Sequence, residues 1–217
     1  MKTIGLKPII DMTTNMTNKL FSAACERNAD PILLAITPFL NNSKTVFEIG
    51  SGTGQHAVYF GARLPHITWQ CSDRIQNHPS ISAWQEEAKL PNVLAPLCLD
   101  IGHSAWPENK FDAVYTSNTC HILSWQEVQI MFEGVASILV EWGYFFIYGP
   151  FNYDGQFTSA SNAQFDASLK SQAPHMGIRA IEDIIALANQ HQLQLQEDFA
   201  MPANNRLLVL QKINLKR

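Results

Sequence analysis

Thr45-Val46-Phe47-Glu48-Ile49-Gly50-Ser51-Gly52-Thr53-Gly54 is the stretch that decides how this chain folds. Its first half is rich in β-branched and aromatic residues and predicts a short buried strand. Three glycines at alternate positions follow at once, and they admit turns and a close ligand approach that other residues forbid. Gln55 to Leu64 then reads as a helix. A strand that runs through a glycine turn into a helix is the opening unit of a nucleotide-binding α/β sheet. An acid about twenty residues further on, Asp73, strengthens that reading.

Outward from this unit, strands are expected at Ile67–Cys71, Val93–Leu99, Phe111–Thr116, Tyr144–Tyr148, Leu193–Ala200 and Leu207–Ile213. Helices alternate with them. One follows Pro79, with Ile81, Trp84 and Ala88 at helical spacing. Another is opened by the capping box Ser124-Trp125-Gln126-Glu127 and runs to about Val140, before Gly143. Two more are expected near Ala163–Gln172 and Ala180–His191. Upstream, Asp30-Pro31 reads as the start of a helix that ends before Asn41-Asn42-Ser43. Residues 1–29 are then an arm or lid over a domain of residues 30–217.

The short link Met201-Pro202-Ala203-Asn204-Asn205 implies an antiparallel hairpin between the last two strands. Alternating β and α with one terminal hairpin predicts a doubly wound, Rossmann-like α/β fold. The seven-stranded, mostly parallel sheet takes the order 3-2-1-4-5-7-6, with one antiparallel strand. Pro96 fits this order, since a proline cannot donate to a ladder and the third strand is an edge.

The composition narrows the function. Of 217 residues, 46% are hydrophobic and 16% charged, which describes a packed globule rather than a disordered chain. The net charge is −4 and the lysines and arginines are scattered, so no basic stripe marks a nucleic-acid partner. Cys25, Cys71, Cys98 and Cys120 lie far apart, which disfavours a structural zinc and suits reduced thiols in the cytoplasm. The first residues lack the apolar core of a signal peptide, and no run approaches the ~20 apolar residues of a membrane span. A soluble cytoplasmic protein is expected.

In an open α/β sheet the ligand lies outside the carboxyl ends of the strands. Those ends carry Glu48, Gly50, Gly52 and Gly54, then Asp73, then Asp100. They continue with Ser117, Asn118 and His121, then Tyr148, Gly149 and Pro150, and finally the hairpin residues Asn204 and Asn205. Asp73 suits the two hydroxyls of a ribose, and Asp100 suits an adenine amino group. A dehydrogenase shares this frame, but its fingerprint is GxGxxG, and here Gln55 stands where the last glycine belongs. An NAD-dependent oxidoreductase is the weaker reading. Glu48 has the alternative of capping the neighbouring helix. His56 reads as a packed or surface histidine, and Trp106, Trp125 and Tyr148 as wall.

Val46 to Gly54 resembles the first motif of class I S-adenosylmethionine-dependent methyltransferases. Asp73, Leu97–Asp100, Phe111–Thr116 and Gly143–Tyr148 resemble their later motifs in order and spacing. More narrowly, the chain is similar to a family of short methyltransferase-like bacterial and animal proteins of unassigned function (domain of unknown function 938). Ala24–Asn28, Gly52–Ala57, Tyr148–Phe151 and Met201–Asn205 carry that likeness.

The resemblance implies S-adenosyl-L-methionine as cofactor. Glu48 with Gly50, Ser51, Gly52 and Gly54 would face its methionine part, Asp73 its ribose, and Asp100 with the Ile101 amide its adenine. Asn118 would sit near the reactive methyl, and Arg27 and Asn28 would close over the cofactor. Tyr148, Pro150, Asn204 and Asn205 would form the substrate rim. His121 is the first candidate for a base, needed only where the nucleophile starts protonated. The acceptor is expected to be a small molecule.

No Asn/Asp-Pro-Pro-Tyr/Phe sequence follows the fourth strand, which gives Ser117-Asn118-Thr119-Cys120. The aspartate of magnesium-dependent catechol-type enzymes is missing there too, so no metal is expected. An S-adenosylmethionine-binding protein without catalysis is the rival of a different kind.

Overall fold

The computed structural model describes residues 19–214. Strands β1 (Thr45–Ile49), β2 (Thr68–Asp73) and β3 (Val93–Cys98) run parallel, with β3 at one edge. On the other side of β1 lies β4 (Phe111–Ser117), followed by β5 (Leu139–Gly149), both parallel. Two short strands, β6 (Phe151–Asn152) and β7 (Arg179–Ala180), pair separately beyond this sheet. The chain closes with the hairpin of β8 (Leu193–Met201) and β9 (Asn205–Lys212). β9 lies antiparallel between β5 and β8, which gives the order β3-β2-β1-β4-β5-β9-β8. This is the expected seven-stranded order, with the last two strands renumbered because the small pair precedes them. Pro96 lies on the edge strand β3, where its missing donor disturbs no ladder.

Helices cover both faces, and β1 is buried at every position after Thr45. The side chains of Phe47 and Ile49 join one apolar cluster, with α4 (Trp125–Ile138) and α6 (Ile181–Gln190) over it. Val46 points the other way, into a cluster with Trp69 and Tyr115 under α1 (Ala23–Ile36) and α2 (Gln55–Arg63). The period of two therefore sends Glu48 to the α1–α2 side. Between α2 and β3 lies α3 (His78–Ala88), and between β6 and β7 lies α5 (Ala160–Gln172). Gly54 sits at φ +94 at the head of α2, where an added Cβ would stand 2.8 Å from the Ile81 backbone. Only glycine allows the turn and the α2–α3 approach together.

Two sequence boundaries need correction. Asp30-Pro31 does not open the first helix. α1 starts at Ala23, capped by Ser22, whose Oγ accepts the Cys25 N–H at 3.3 Å, and Pro31 lies inside it. Asn28, Ala29, Ile32 and Ile36 form one buried stripe, and that burial carries the helix past the proline. Residues 23–29 of the expected arm thus lie in this helix, and residues 1–18 lie outside the described ones.

The second correction concerns α4, which stops at Ile138. β5 begins at Leu139, five residues before the expected Tyr144. Trp142 at φ +66 and a register shift opposite Phe111–Ala113 mark a bulge, which interrupts the alternation that would have announced the strand. The capping box Ser124–Glu127 is present in both directions. No helix among the described residues is long and apolar enough to cross a membrane. The four cysteines are free thiols.

Candidate functional site

The carboxyl ends of β1, β2, β4 and β5 open into two adjoining cavities, of about 500 and 700 Å³. Gly50, Gly52, Ser117 and Asn118 line both. The first cavity continues along Asp73, Asp100 and Ile101. The second takes in Arg27, Asn28, Glu48, Ser51, His121, Tyr148, Pro150 and Asn205. Residues expected to meet the adenosine half and the methionine half of one cofactor therefore fall on opposite sides of the glycine turn.

Asp73 ends β2 and is buried. Its Oδ2 accepts the Gly52 N–H at 2.7 Å, while Oδ1 accepts from the Arg74 N–H at 2.7 Å and Asn77 Nδ2 at 2.8 Å. The same carboxylate that faces the first cavity holds the glycine turn in place. Asp100 is more open: its side chain is 46% exposed, 3.7 Å from His103 Nδ1. The Asp100 N–H donates to Ser104 Oγ at 2.9 Å, which fixes the turn that presents it.

Glu48 is buried against Trp69 on the second cavity. Ser51 Oγ (3.0 Å) and Trp69 Nε1 (2.9 Å) both donate to Oε2. Burial pushes its carboxyl up to about 7, against the pull of these two donors. A buried acid with no basic partner in contact among the described residues is suited to receive a cation that enters the cavity. Helix capping does not describe it, since α2 has no side-chain cap.

Asn118 lies where the two cavities join, at φ +59, with its N–H donating to the Tyr148 carbonyl at 2.8 Å. A left-handed non-glycine residue at a cavity junction is the kind of backbone strain that clusters at functional sites. His121 is 6% exposed and its ring packs edge-to-face on Phe165 at 5.1 Å. Its ring nitrogens have no hydrogen-bond partner among the described residues, and burial together with the Arg179 charge lowers its pKa to about 4. It lines the second cavity, and with so low a pKa its imidazole is uncharged at neutral pH. Arg27 is exposed at the mouth, and Asn28 is buried beneath it.

Two of the candidate residues lie away from both cavities. Gly54 packs on Ile81 and lines neither cavity. Asn204 also lines neither: its carbonyl accepts from Asn162 Nδ2 at 3.1 Å, its side chain reaches Ser161, and Pro202 and Ala203 face the cavity instead. Phe21 is 60% exposed and lies in a groove with Tyr59 and Trp84. The sequence reading also missed two walls. Ser161, Asn162 and Phe165 of α5 close the second cavity, and His175 and Met176 border the first. Polar residues surround α5 without a clear apolar stripe, so periodicity gave its facing no signal.

Solved structures share this architecture. An O-methyltransferase family protein from Burkholderia thailandensis matches at TM-score 0.73 and 15% identity, over 87% of this chain and 59% of that one. The mitomycin 7-O-methyltransferase MmcR matches at TM-score 0.76 and 14% identity, over 87% and 54%. An O-methyltransferase family 2 protein from Planctomyces limnophilus, in complex with apigenin, matches at TM-score 0.70 and 14% identity, over 85% and 62%. This chain thus matches little more than half the length of these proteins, and the likeness is one of fold. The family profile described as "Protein of unknown function (DUF938)" matches residues 19–212, and the chain, with its class I methyltransferase fold, belongs to that family.

Proposed function

We propose that the protein binds S-adenosyl-L-methionine across the two cavities and transfers its methyl group to a small molecule. The observation that carries this reading is the paired acids on either side of one glycine turn. Asp73, tied to Gly52, borders the first cavity and the buried Glu48 borders the second. A nucleoside joined to an amino acid needs both: acceptors for ribose hydroxyls, and an acceptor for an ammonium.

In this reading Asp73 holds the ribose, and Asp100 with the Ile101 amide holds the adenine edge. Glu48 takes the ammonium and Arg27 the carboxylate, in a bidentate pair. When bound, the cofactor supplies an electrophilic sulfonium methyl. The chain then has chiefly to align a nucleophile, an effect worth about 7–11 kcal/mol. Asn118 lies where the cavities meet, and Tyr148, Pro150, Asn205 and Phe165 border the space left for the acceptor. His121 is the candidate to take a proton there. The enclosure of that space by α1, α5 and the β8–β9 hairpin supports a small acceptor over a macromolecule.

The test is transfer of isotope-labelled methyl from S-adenosylmethionine into size-fractionated metabolite extracts. Label entering a small-molecule fraction only with the protein present is the expected result. Cofactor binding with no label in any fraction would favour a binding protein without catalysis.

A further inference from the structure

His56 lies on the first turn of α2, two residues after Gly54, and is 4% exposed. Its ring lies stacked on Phe60 at 5.1 Å. Nε2 meets Asn28 Oδ1 at 2.7 Å, and Nδ1 meets the Tyr115 hydroxyl at 3.1 Å. Because an amide oxygen only accepts, Nε2 carries the proton and donates to it. Nδ1 is then the bare nitrogen and accepts from Tyr115. Asn28 Oδ1 is thereby occupied, which leaves its NH₂ group on the side of the Tyr148 hydroxyl, a wall of the second cavity. On that side the amides of Asn28 and Asn205 face the Tyr148 hydroxyl. One buried line of polar groups thus runs from β4 through α2 to α1 and β5.

We propose that His56 is a positioning residue: it fixes the Asn28 amide with its NH₂ turned into the second cavity, where, beside Arg27, it grips the carboxylate end of the cofactor. The hydrogen bonds stand on the structure alone, while the identity of the ligand rests on the methyltransferase reading. A packed histidine without this role would leave the amide free to turn its oxygen inward, and an oxygen there repels a carboxylate. The ionisable groups that share a cavity wall with His56 are Cys25, Arg27, Glu48, His121 and Tyr148 on one side and Glu26, Tyr59 and Arg63 on the other, with Tyr115 bonded to the ring. None is a carboxylate bonded to the imidazole, and burial keeps the ring neutral, with its pKa lowered to about 4.

Two measurements test this. In the wild-type protein, nitrogen NMR of the imidazole should show His56 protonated at Nε2, bare at Nδ1 and not titrating above pH 5. Asn28→Asp should raise its titration by at least about one pH unit, because a carboxylate bonded to the ring favours the cation. The second measurement is S-adenosylhomocysteine affinity. His56→Gln, which keeps a donor and an acceptor, should stay within about threefold of wild type, whereas His56→Leu should lose about tenfold or more. A proton on Nδ1, an unmoved titration in Asn28→Asp, or equal affinity in the Gln and Leu variants would overturn the proposal. If the wild-type protein bound no S-adenosylhomocysteine, the methyltransferase reading and the carboxylate grip would fall together. The NMR arm would still decide whether His56 sets the amide.

Discussion

Asp73 Oδ2 accepts the backbone N–H of Gly52 at 2.7 Å, so the acid that ends β2 and the turn that ends β1 move as one unit. Asp73→Ala removes that tether together with two acceptors for a ribose. Affinity for S-adenosylhomocysteine should fall by about 2–3 kcal/mol, roughly thirty- to more than hundredfold. The melting temperature of the ligand-free protein should fall as well, because the Gly52, Arg74 and Asn77 donors lose their partner. Asp73→Asn keeps an acceptor and should lie between. Calorimetric titration of both variants checks this, and an unchanged affinity in the alanine variant would remove Asp73 from the site.

Glu48 gives a pH dependence of definite sign. Its carboxyl sits near pKa 7 in the ligand-free protein and must be ionised to hold an ammonium. Affinity for S-adenosylhomocysteine should therefore rise about tenfold from pH 6 to pH 8, following the ionised fraction. Glu48→Gln should flatten the profile. The folded pKa lies above the ordinary carboxylate value, so the contribution of Glu48 to folding is fully present below pH 4.5 and is lost as pH rises through about 7. Thermal melts of the ligand-free Gln variant should accordingly gain most at pH 8. A binding profile that is flat in the wild-type protein would contradict the assignment.

His121 carries the opposite sign. Burial lowers its pKa to about 4, so its contribution to folding is present above pH 6.5 and is lost as pH falls towards 4. His121→Phe should soften the acid limb of a stability–pH curve. If His121 takes the acceptor's proton, His121→Gln should lower turnover by about 10²-fold or more. S-adenosylhomocysteine affinity should then change less than twofold, roughly 0.4 kcal/mol. Loss of affinity without loss of turnover would assign His121 to the cofactor instead.

The fold was legible because its signals are local and periodic. Alternation or apolar runs give the strands, Ser124–Glu127 gives a capped helix, and Pro96 gives the edge. The placement of Asp73, Asp100 and Glu48 on one rim was legible for a related reason, since a parallel sheet brings its carboxyl ends together whatever the side chains between them. What escaped was set by tertiary packing. Pro31 reads as a helix start, yet the buried stripe Asn28–Ile36 overrides it. The bulge at Trp142 hides the start of β5, and α5, without a clear apolar stripe, gives no hint that Asn162 and Phe165 close a cavity. The His56–Asn28 pair is 28 residues apart and unites two helices, a relation no local pattern encodes.

Pro31 gives a check on the first of these. Inside α1 it lacks the N–H that would bond the Arg27 carbonyl. Pro31→Ala should raise the stability of the ligand-free protein by about 1 kcal/mol or more, given a helix-interior cost near 3 kcal/mol that relaxation of the helix reduces. A lower melting temperature in this variant would mean that the helix begins at Pro31 after all.

The account as a whole stands on whether the two cavities hold one adenosyl cofactor. Isothermal titration of the full chain with S-adenosylhomocysteine, with NAD in parallel, tests this most directly. Saturable one-to-one binding of S-adenosylhomocysteine and none of NAD is predicted. The same ligand at about a hundredfold excess over its dissociation constant should stabilise the fold by about 2.7 kcal/mol. A flat S-adenosylhomocysteine titration up to about millimolar concentration, the range in which even a binding energy of ~4.1 kcal/mol would register, would contradict the account.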